Sequence, residues 1–156
     1  MKSNNVTRLL DAKNIPYAAF ELPAEKLGAV EAARRMGAPP EQVFKTIVVT
    51  REGRGKPVLA LTPGPAEVDL KALAKALGEK KLNLPTEREA ERLTGLQAGG
   101  ISPLALLNKG FQVVIDETAI LYKEIYISGG QRGLDIRLPV EALAGLTGAT
   151  YAAFSR

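Results

Sequence analysis

Val43-Phe44-Lys45-Thr46-Ile47-Val48-Val49-Thr50 and Pro57-Val58-Leu59-Ala60-Leu61-Thr62, separated by the charged, Gly-containing residues 51–56, decide the architecture. β-Branched residues dominate the first run and apolar residues the second, and a polar connector of this length joins two such runs as a hairpin. Strand alternation puts Lys45, Ile47 and Val49 on one face and Phe44, Thr46 and Val48 on the other, so both faces are largely apolar. Lys45 must therefore either carry its amine to water at the strand's end or find a partner such as a carboxylate, a phosphate or a carbonyl.

On the N-terminal side, Val6, Leu9, Leu10 and Lys13 recur at helical spacing, which predicts a helix over 4–14 with Ser3, Asn4 and Asn5 as cap candidates and Pro16 as its stop. A strand over 17–22 follows, then a helix over 27–36 ended by Gly37 and Pro39-Pro40. On the C-terminal side, Pro63-Gly64-Pro65 turns the chain and Asp69 caps a helix that ends at Leu77 with Gly78 beyond it. A short strand over 82–84 precedes a helix that Thr86 and Glu89 open as a capping box and Gly95 closes. Strands over 111–116, 124–128 and 134–138, a helix over 140–146 and a strand over 150–154 complete the pattern. Strands and helices without regular βαβ alternation predict an α+β domain with a mixed sheet rather than a dinucleotide-binding type. At 156 residues, with no interior linker, residues 1–156 are expected to form a single domain.

Composition excludes more than it specifies. There is no cysteine, so disulfides and thiolate nucleophiles are out and structural zinc is disfavoured. There is no histidine either, which removes Ser-His-Asp, Cys-His and His-metal chemistry together. The early charges Lys2, Arg8, Asp11 and Lys13 stand where a signal peptide needs an apolar centre, and no 18-residue apolar run occurs, so a cytoplasmic protein without membrane contact is expected. A formal charge of +4 suits weak, salt-sensitive contact with a polyanion.

The common phosphate loops are absent. Gly95 to Gly100 has Walker-like spacing but continues with Ile101 and Ser102 in place of Lys and Ser/Thr. Neither Ser102 nor Ser128 has glycine on both sides, as a nucleophile elbow needs. What remains are loops. Gly99-Gly100-Ile101-Ser102-Pro103 offers bare backbone either to a ligand or to an ordinary tight turn. Ser128-Gly129-Gly130-Gln131-Arg132-Gly133 reads as a hairpin loop, and Asp135 and Arg137, two apart on the following strand, are expected to form a solvated ion pair.

Taken in order, Gln42-Val43-Phe44-Lys45-Thr46, Val68-Asp69-Leu70-Lys71 through Ala74-Lys75-Ala76-Leu77-Gly78, Gly99-Gly100-Ile101-Ser102-Pro103-Leu104, and Ile127-Ser128-Gly129-Gly130 with Arg132-Gly133-Leu134-Asp135-Ile136 resemble the YbaK/EbsC family. That family includes free-standing deacylases of mischarged tRNA and is related to the editing insertion of bacterial prolyl-tRNA synthetases. The resemblance runs nearly end to end. It implies a mixed-sheet or barrel-like fold with surrounding helices and a pocket for the aminoacylated 3′ end of tRNA, with no metal and no cofactor. It places the pocket lysine on Lys45 with Thr46 beside it, the substrate loop on Gly99 to Pro103 with Gly100, Ile101 and Ser102 inside it, and the pocket-lining serine, glycine and aspartate on Ser128, Gly129 and Asp135. Cys-tRNA(Pro) deacylases of that family carry an aromatic residue near the pocket on the strand after the first helix; this chain departs from that pattern, offering Phe20, Glu21 or Leu22 there, which leaves the amino-acid preference open.

Members of that family are thought to cleave the ester with a positioned water, the substrate's own thiol or the terminal ribose hydroxyl, which agrees with the missing histidine. The expected activity is therefore trans-editing of mischarged tRNA, Cys-tRNA(Pro) first and Ala- or Ser-charged tRNA next, with prolyl-tRNA synthetase as a candidate partner. Two other classes compete: a non-catalytic RNA-binding or regulatory module with the same fold, and a small-molecule binding protein whose affinity would ignore salt.

Overall fold

A computed structural model describes residues 3–156. The hairpin forms as the sequence predicts: β2 (Phe44–Arg51) pairs antiparallel with β3 (Val58–Pro63), Lys45 facing Thr62 and Val49 facing Val58. Every residue of β3 is buried, which makes it the central strand of its sheet. β5 (Gln112–Asp116) lies parallel to β3, and β8 (Thr150–Ala152) lies parallel to β5. β4 (Leu82–Asn83) flanks β2 on its other side, giving the order β4-β2-β3-β5-β8. A second, antiparallel sheet has the order β1-β7-β6, from β1 (Ala18–Glu21), β6 (Glu124–Ser128) and β7 (Leu134–Pro139).

The principal core lies between the sheets. Phe44, Val48, Leu59, Leu61 and Ile115 come from the larger one, and Ile125, Ile127, Ile136 and Leu138 from the smaller. Truncating any of these to Ala is expected to cost about 2–5 kcal/mol, because removed methylenes leave a cavity that the surroundings fill only partly. Val6 and Leu10 of α1 (Asn5–Ala12) and Leu143 of α5 (Val140–Thr147) close it. The far face of the larger sheet, with Val49, Val58, Ala60 and Val114, packs on Leu73 and Ala74 of α3 (Leu70–Leu77). α2 (Ala29–Met36) covers the outer face of the smaller sheet, where Ala33 and Ala38 meet Val43 and Tyr126.

Among the described residues the sheets do not close into a barrel. Val43 and Tyr126 make an isolated parallel bridge between them, and the strand pairing otherwise stays within each sheet. The mixed α+β class stands, and the barrel-like expectation gives way to two facing sheets. Other departures are local. α2 begins at Ala29 because Gly28, at φ 80, is not helical. The reciprocal capping box occurs on α1, between Asn4 and Thr7. On α4 (Glu87–Thr94) only half of it forms: the Thr86 hydroxyl accepts from the Glu89 N–H at 3.1 Å, while the Glu89 carboxylate is taken by Arg92. Three 3-10 turns, at Pro40–Gln42, Pro103–Leu106 and Glu117–Leu121, have no counterpart in the sequence pattern.

Candidate active site

β4 is two residues long and pairs only with Thr50 and Arg51, so the edge of β2 from Phe44 to Val49 has no strand beside it. A cavity of about 590 Å³ occupies that edge. Its walls are residues 43–48 of β2, the segment from Leu22 to Ala29, Leu84 and Pro85 leading into α4, the loop at Ala98, Gly99 and Ile101, and Ser128, Gly133 and Asp135 of the smaller sheet. Because β2 borders it edge-on, residues from both of its faces reach the cavity, which is how alternating neighbours such as Lys45 and Thr46 share one site.

Lys45 is half-buried, and its ammonium donates to the Gly64 carbonyl at 3.0 Å. Of the two outcomes the sequence left open, the amine has found a partner. That partner is rigid: a Cβ on Gly64 would stand 2.9 Å from the Ala29 Cβ and 3.2 Å from the Val43 carbonyl, so the turn is pressed against α2 and β2. An ammonium carries three donors, and the remaining ones are free to meet a ligand. Next to it the Thr46 hydroxyl is buried without a hydrogen-bond partner. Because Thr46 lines the cavity, this hydroxyl is left to bond with whatever occupies it.

Asp135 carries the one large electrostatic shift among the described residues that line the cavity. It faces Ser128 across the β6–β7 pair, while Leu134 and Ile136 on either side of it point into the protein. Burial pushes its carboxyl up to about 6. Arg137 does not relieve it. The guanidinium turns instead to the Tyr126 hydroxyl at 3.4 Å and the Glu124 carboxylate at 3.6 Å, and it lies 5.7 Å from the Phe20 ring. The expected solvated Asp135–Arg137 pair is therefore absent, because Arg137 has a cross-strand hydroxyl and carboxylate within reach. Among the described residues, Asp135 has neither a hydrogen bond nor an ion pair, as a carboxylate awaiting a cation would.

Ser128 bonds weakly to the loop opposite, its hydroxyl 3.5 Å from the Gly99 carbonyl and 3.3 Å from the Gly130 N–H, which donates to it. Gly99, at φ 89, presents bare backbone between the Lys26 and Arg132 side chains. Thus Lys45, Thr46, Gly99, Ile101, Ser128 and Asp135, far apart in the chain, line one cavity.

The other four residues singled out from the sequence stand behind that lining. A Cβ on Gly100 would lie 2.9 Å from backbone atoms of Gln131 and Arg132, so this glycine lets two loops touch. Ser102 is buried and its hydroxyl accepts from the Leu104 N–H at 3.2 Å, capping the 3-10 turn that Pro103 opens. Gly129 donates to the Leu134 carbonyl at 2.8 Å and has Leu134 where a side chain would be. Arg132 adds a bond from its Nε to the Ala98 carbonyl at 2.6 Å. These residues set the loop's shape; Gly99 and Ile101 face the cavity.

Sequence reasoning missed most of one wall. Leu27 and Gly28, with Leu84 and Pro85, join the anticipated Leu22 in enclosing the side away from the sheets, and Lys26 bridges to Glu87 at 2.7 Å across the mouth. Gly28 and the Leu84-Pro85 pair were the available signals, since glycine tolerates non-helical backbone and the residue before proline is pushed to extended chain, here just ahead of α2 and α4. Leu22, not Phe20, is the cavity residue at the end of β1. No group of three or more carboxylates converges among the described residues in a way that would hold a metal ion. No helix there is long and apolar enough to cross a membrane.

An α+β fold of two facing sheets, with a largely apolar cavity into which the Lys45 ammonium and the buried Asp135 carboxyl both reach, defines a small-ligand site rather than a nucleotide-phosphate cradle. Known proteins place it more closely. The aminoacyl-tRNA editing domain matches residues 24–146. EbsC of Enterococcus faecalis, named for deacylation of Cys-tRNA(Pro) and Cys-tRNA(Cys), is 35% identical over 153 residues, spanning 97% of this chain and 92% of that one. Proline–tRNA ligase of Thermodesulfovibrio yellowstonii is 29% identical over 124 residues, a match to 79% of this chain but 20% of the ligase. The solved structure of a protein described as a trans-editing enzyme for prolyl-tRNA synthetase superposes with TM-score 0.81 at 28% identity, covering 100% of this chain and 99% of that one. The chain belongs to the aminoacyl-tRNA editing domain family, in its YbaK/EbsC group.

Proposed function

We propose that this chain, acting as a single editing domain over residues 1–156, hydrolyses the ester that joins a wrong amino acid to tRNA, working in trans on Cys-tRNA(Pro) first and on Ala- or Ser-charged tRNA next. The observation that carries the proposal is one cavity in which a tethered ammonium, an orphaned hydroxyl and a bare carboxyl converge, in a chain without histidine or cysteine. Its volume falls within the roughly 300–1,000 Å³ range of small-molecule sites, ample for a small aminoacyl group with the terminal ribose of the tRNA 3′ end.

The roles follow from charge. The aminoacyl group carries an α-ammonium, and the Asp135 carboxylate is the unpaired anion that suits it. The Lys45 ammonium faces the ester, where attack on the carbonyl carbon puts negative charge on oxygen. Backbone groups of Gly99 to Ile101, held by the loop-to-loop contact at Gly100, fix the aminoacyl moiety, with Ser128 and Thr46 as hydroxyl contacts. The attacking atom is the oxygen of water, which releases the free amino acid, or the sulfur of a cysteinyl group, which releases it as a cyclic thioester; in both cases the carbonyl–ribose bond breaks and the ribose oxygen takes the attacker's proton. An aminoacyl ester is already activated, so placement is enough: well-oriented groups supply about 7–11 kcal/mol of a barrier. Prolyl-tRNA synthetase, relative of this domain through its own editing insertion, is the proposed docking partner.

The test is a panel of Cys-, Ala- and Ser-tRNA(Pro) incubated with purified protein and with Lys45→Ala. Loss of the Lys45 ammonium is expected to lower kcat/KM by about 10²–10³, the usual cost of removing one charge-stabilising donor. If no charged tRNA is deacylated faster than in buffer, the proposal fails.

A further inference from the structure

The basic excess is gathered at one end of the larger sheet. Arg51, Arg54 and Lys56 belong to the β2–β3 hairpin, Lys80 and Lys81 to the link from α3 into β4, and Lys109 to the turn before β5. Packing brings these segments together. Leu82 of β4 pairs with Arg51. Arg51 reaches Glu79 at 2.8 Å and also bonds Gln112 at the start of β5. The Lys56 ammonium lies 5.7 Å over the Phe111 ring, and a Cβ on Gly110 would sit 3.2 Å from its side chain.

Only two carboxylates oppose these six cations there. Glu79 is consumed by Arg51, and Glu52 stands 3.8 Å from Lys81. Six against two leaves +4, which is the formal net charge of the whole chain, so the remaining residues balance to zero. Apart from Arg51, all of the cations are exposed.

This end is continuous with the cavity. From Lys81 the chain runs through β4 to Leu84 and Pro85, which form the cavity wall. Three strand steps of about 3.3 Å set the patch roughly 10 Å from the mouth. One strand of a stacked nucleic acid carries about one phosphate per 3.4 Å, so a strand whose end sits in the cavity lays about three phosphates over that distance.

We infer that the hairpin tip and the β4 approach, through Arg54, Lys56, Lys80 and Lys81, form the docking surface for the phosphodiester backbone of the tRNA acceptor arm. The inference rests on the deacylase reading for what enters the cavity, but it makes a separate claim about binding. Phe111, half-exposed under Lys56, adds a ring at the far side of the patch.

The experiment uses the full chain with Arg54→Ala, Lys56→Ala, Lys80→Ala and Lys81→Ala combined, and two substrates: intact aminoacyl-tRNA and an aminoacylated CCA trinucleotide. Exposed positions of this kind leave the melting temperature within a degree or two of the parent, which checks folding. Expected are a rise of at least tenfold in Kd for uncharged tRNA and a matching fall in kcat/KM on the intact substrate, with hydrolysis of the trinucleotide unchanged. The slope of log Kd against log salt should become shallower by about 3, since each lost phosphate contact contributes about 0.7–0.9. Uncharged tRNA binding decides the matter even if neither substrate is hydrolysed, an outcome that would count against the deacylase reading alone. Equal tRNA affinity in parent and variant, or no tRNA binding by the parent, overturns the inference; an acidic protein as the true occupant of the patch would give that result.

Discussion

Asp135→Asn separates what the cavity costs the fold from what it gives the reaction. Burial holds the Asp135 carboxyl near 6 against an ordinary 3.8, so folding favours the protonated form. The group's folded pKa is raised; its favourable contribution is therefore complete below about 3.8 and is lost as pH rises to about 6. Across that window the folded state holds one more proton than the unfolded chain, and stability falls by about 1.4 kcal/mol per pH unit. The accumulated cost above pH 6 has an upper bound of about 3 kcal/mol, lessened by whatever water reaches the cavity. Asparagine keeps the shape and removes the charge. In urea unfolding from pH 3.5 to 8 the variant should match the parent at the acid end and exceed it by up to about 3 kcal/mol at pH 7. Its kcat/KM should fall, and the parent's should climb with pH through about 6 as the carboxylate that holds the substrate's ammonium ionises. A variant no more stable than the parent at pH 7 would show that the carboxyl is solvated or paired, and would refute the assignment.

Thr46→Val removes the orphaned buried hydroxyl at constant shape. Stability should rise by about 1 kcal/mol while kcat/KM drops about tenfold, the worth of one substrate hydrogen bond; a loss of stability in urea titrations would mean that the hydroxyl is satisfied. Gly100→Ala drives a methyl into Gln131 and Arg132 backbone that cannot swing aside, and a destabilisation of about 1–3 kcal/mol should appear as a lowered melting temperature. Asp116 is the mirror of Asp135. Burial raises its carboxyl, but hydrogen bonds from Thr118 and from the Phe154 and Ser155 N–H groups outweigh that and leave it lowered. Its contribution is present above 3.8 and lost as pH falls through the folded value. Asp116→Asn should cost about 2–3 kcal/mol at pH 7, with the gap to the parent narrowing in acid.

Features governed by neighbouring residues were legible in the sequence. The β2–β3 hairpin, the Asp69 cap and Gly78 stop of α3, and the Gly95 end of α4 stand where turn and capping chemistry put them, because each needs only groups within a few residues along the chain. The motif positions also contain Lys45, Thr46, Gly99, Ile101, Ser128 and Asp135, which the cavity brings together from β2, the Gly99 loop and the β6–β7 pair, while Ile47, Val48 and Ala98 line it from just outside those stretches. Which of them face a ligand was not legible. Gly99 and Gly100 are identical neighbours in sequence, yet one lines the cavity and the other is pressed on Arg132, a difference set by a loop more than thirty residues away.

The same holds for Asp135 and Arg137, whose spacing suggests a pair until Tyr126 and Glu124 arrive across the sheet and draw the guanidinium away. The open edge of β2 exists only because β4 is two residues long, and the far wall exists because residues 22–29 pass over that edge. Hydrogen bonds between near neighbours can be inferred from a string of residues. Burial, desolvation and an unmatched charge depend on which distant segments pack together, so the chemistry of this site was decided by the tertiary structure.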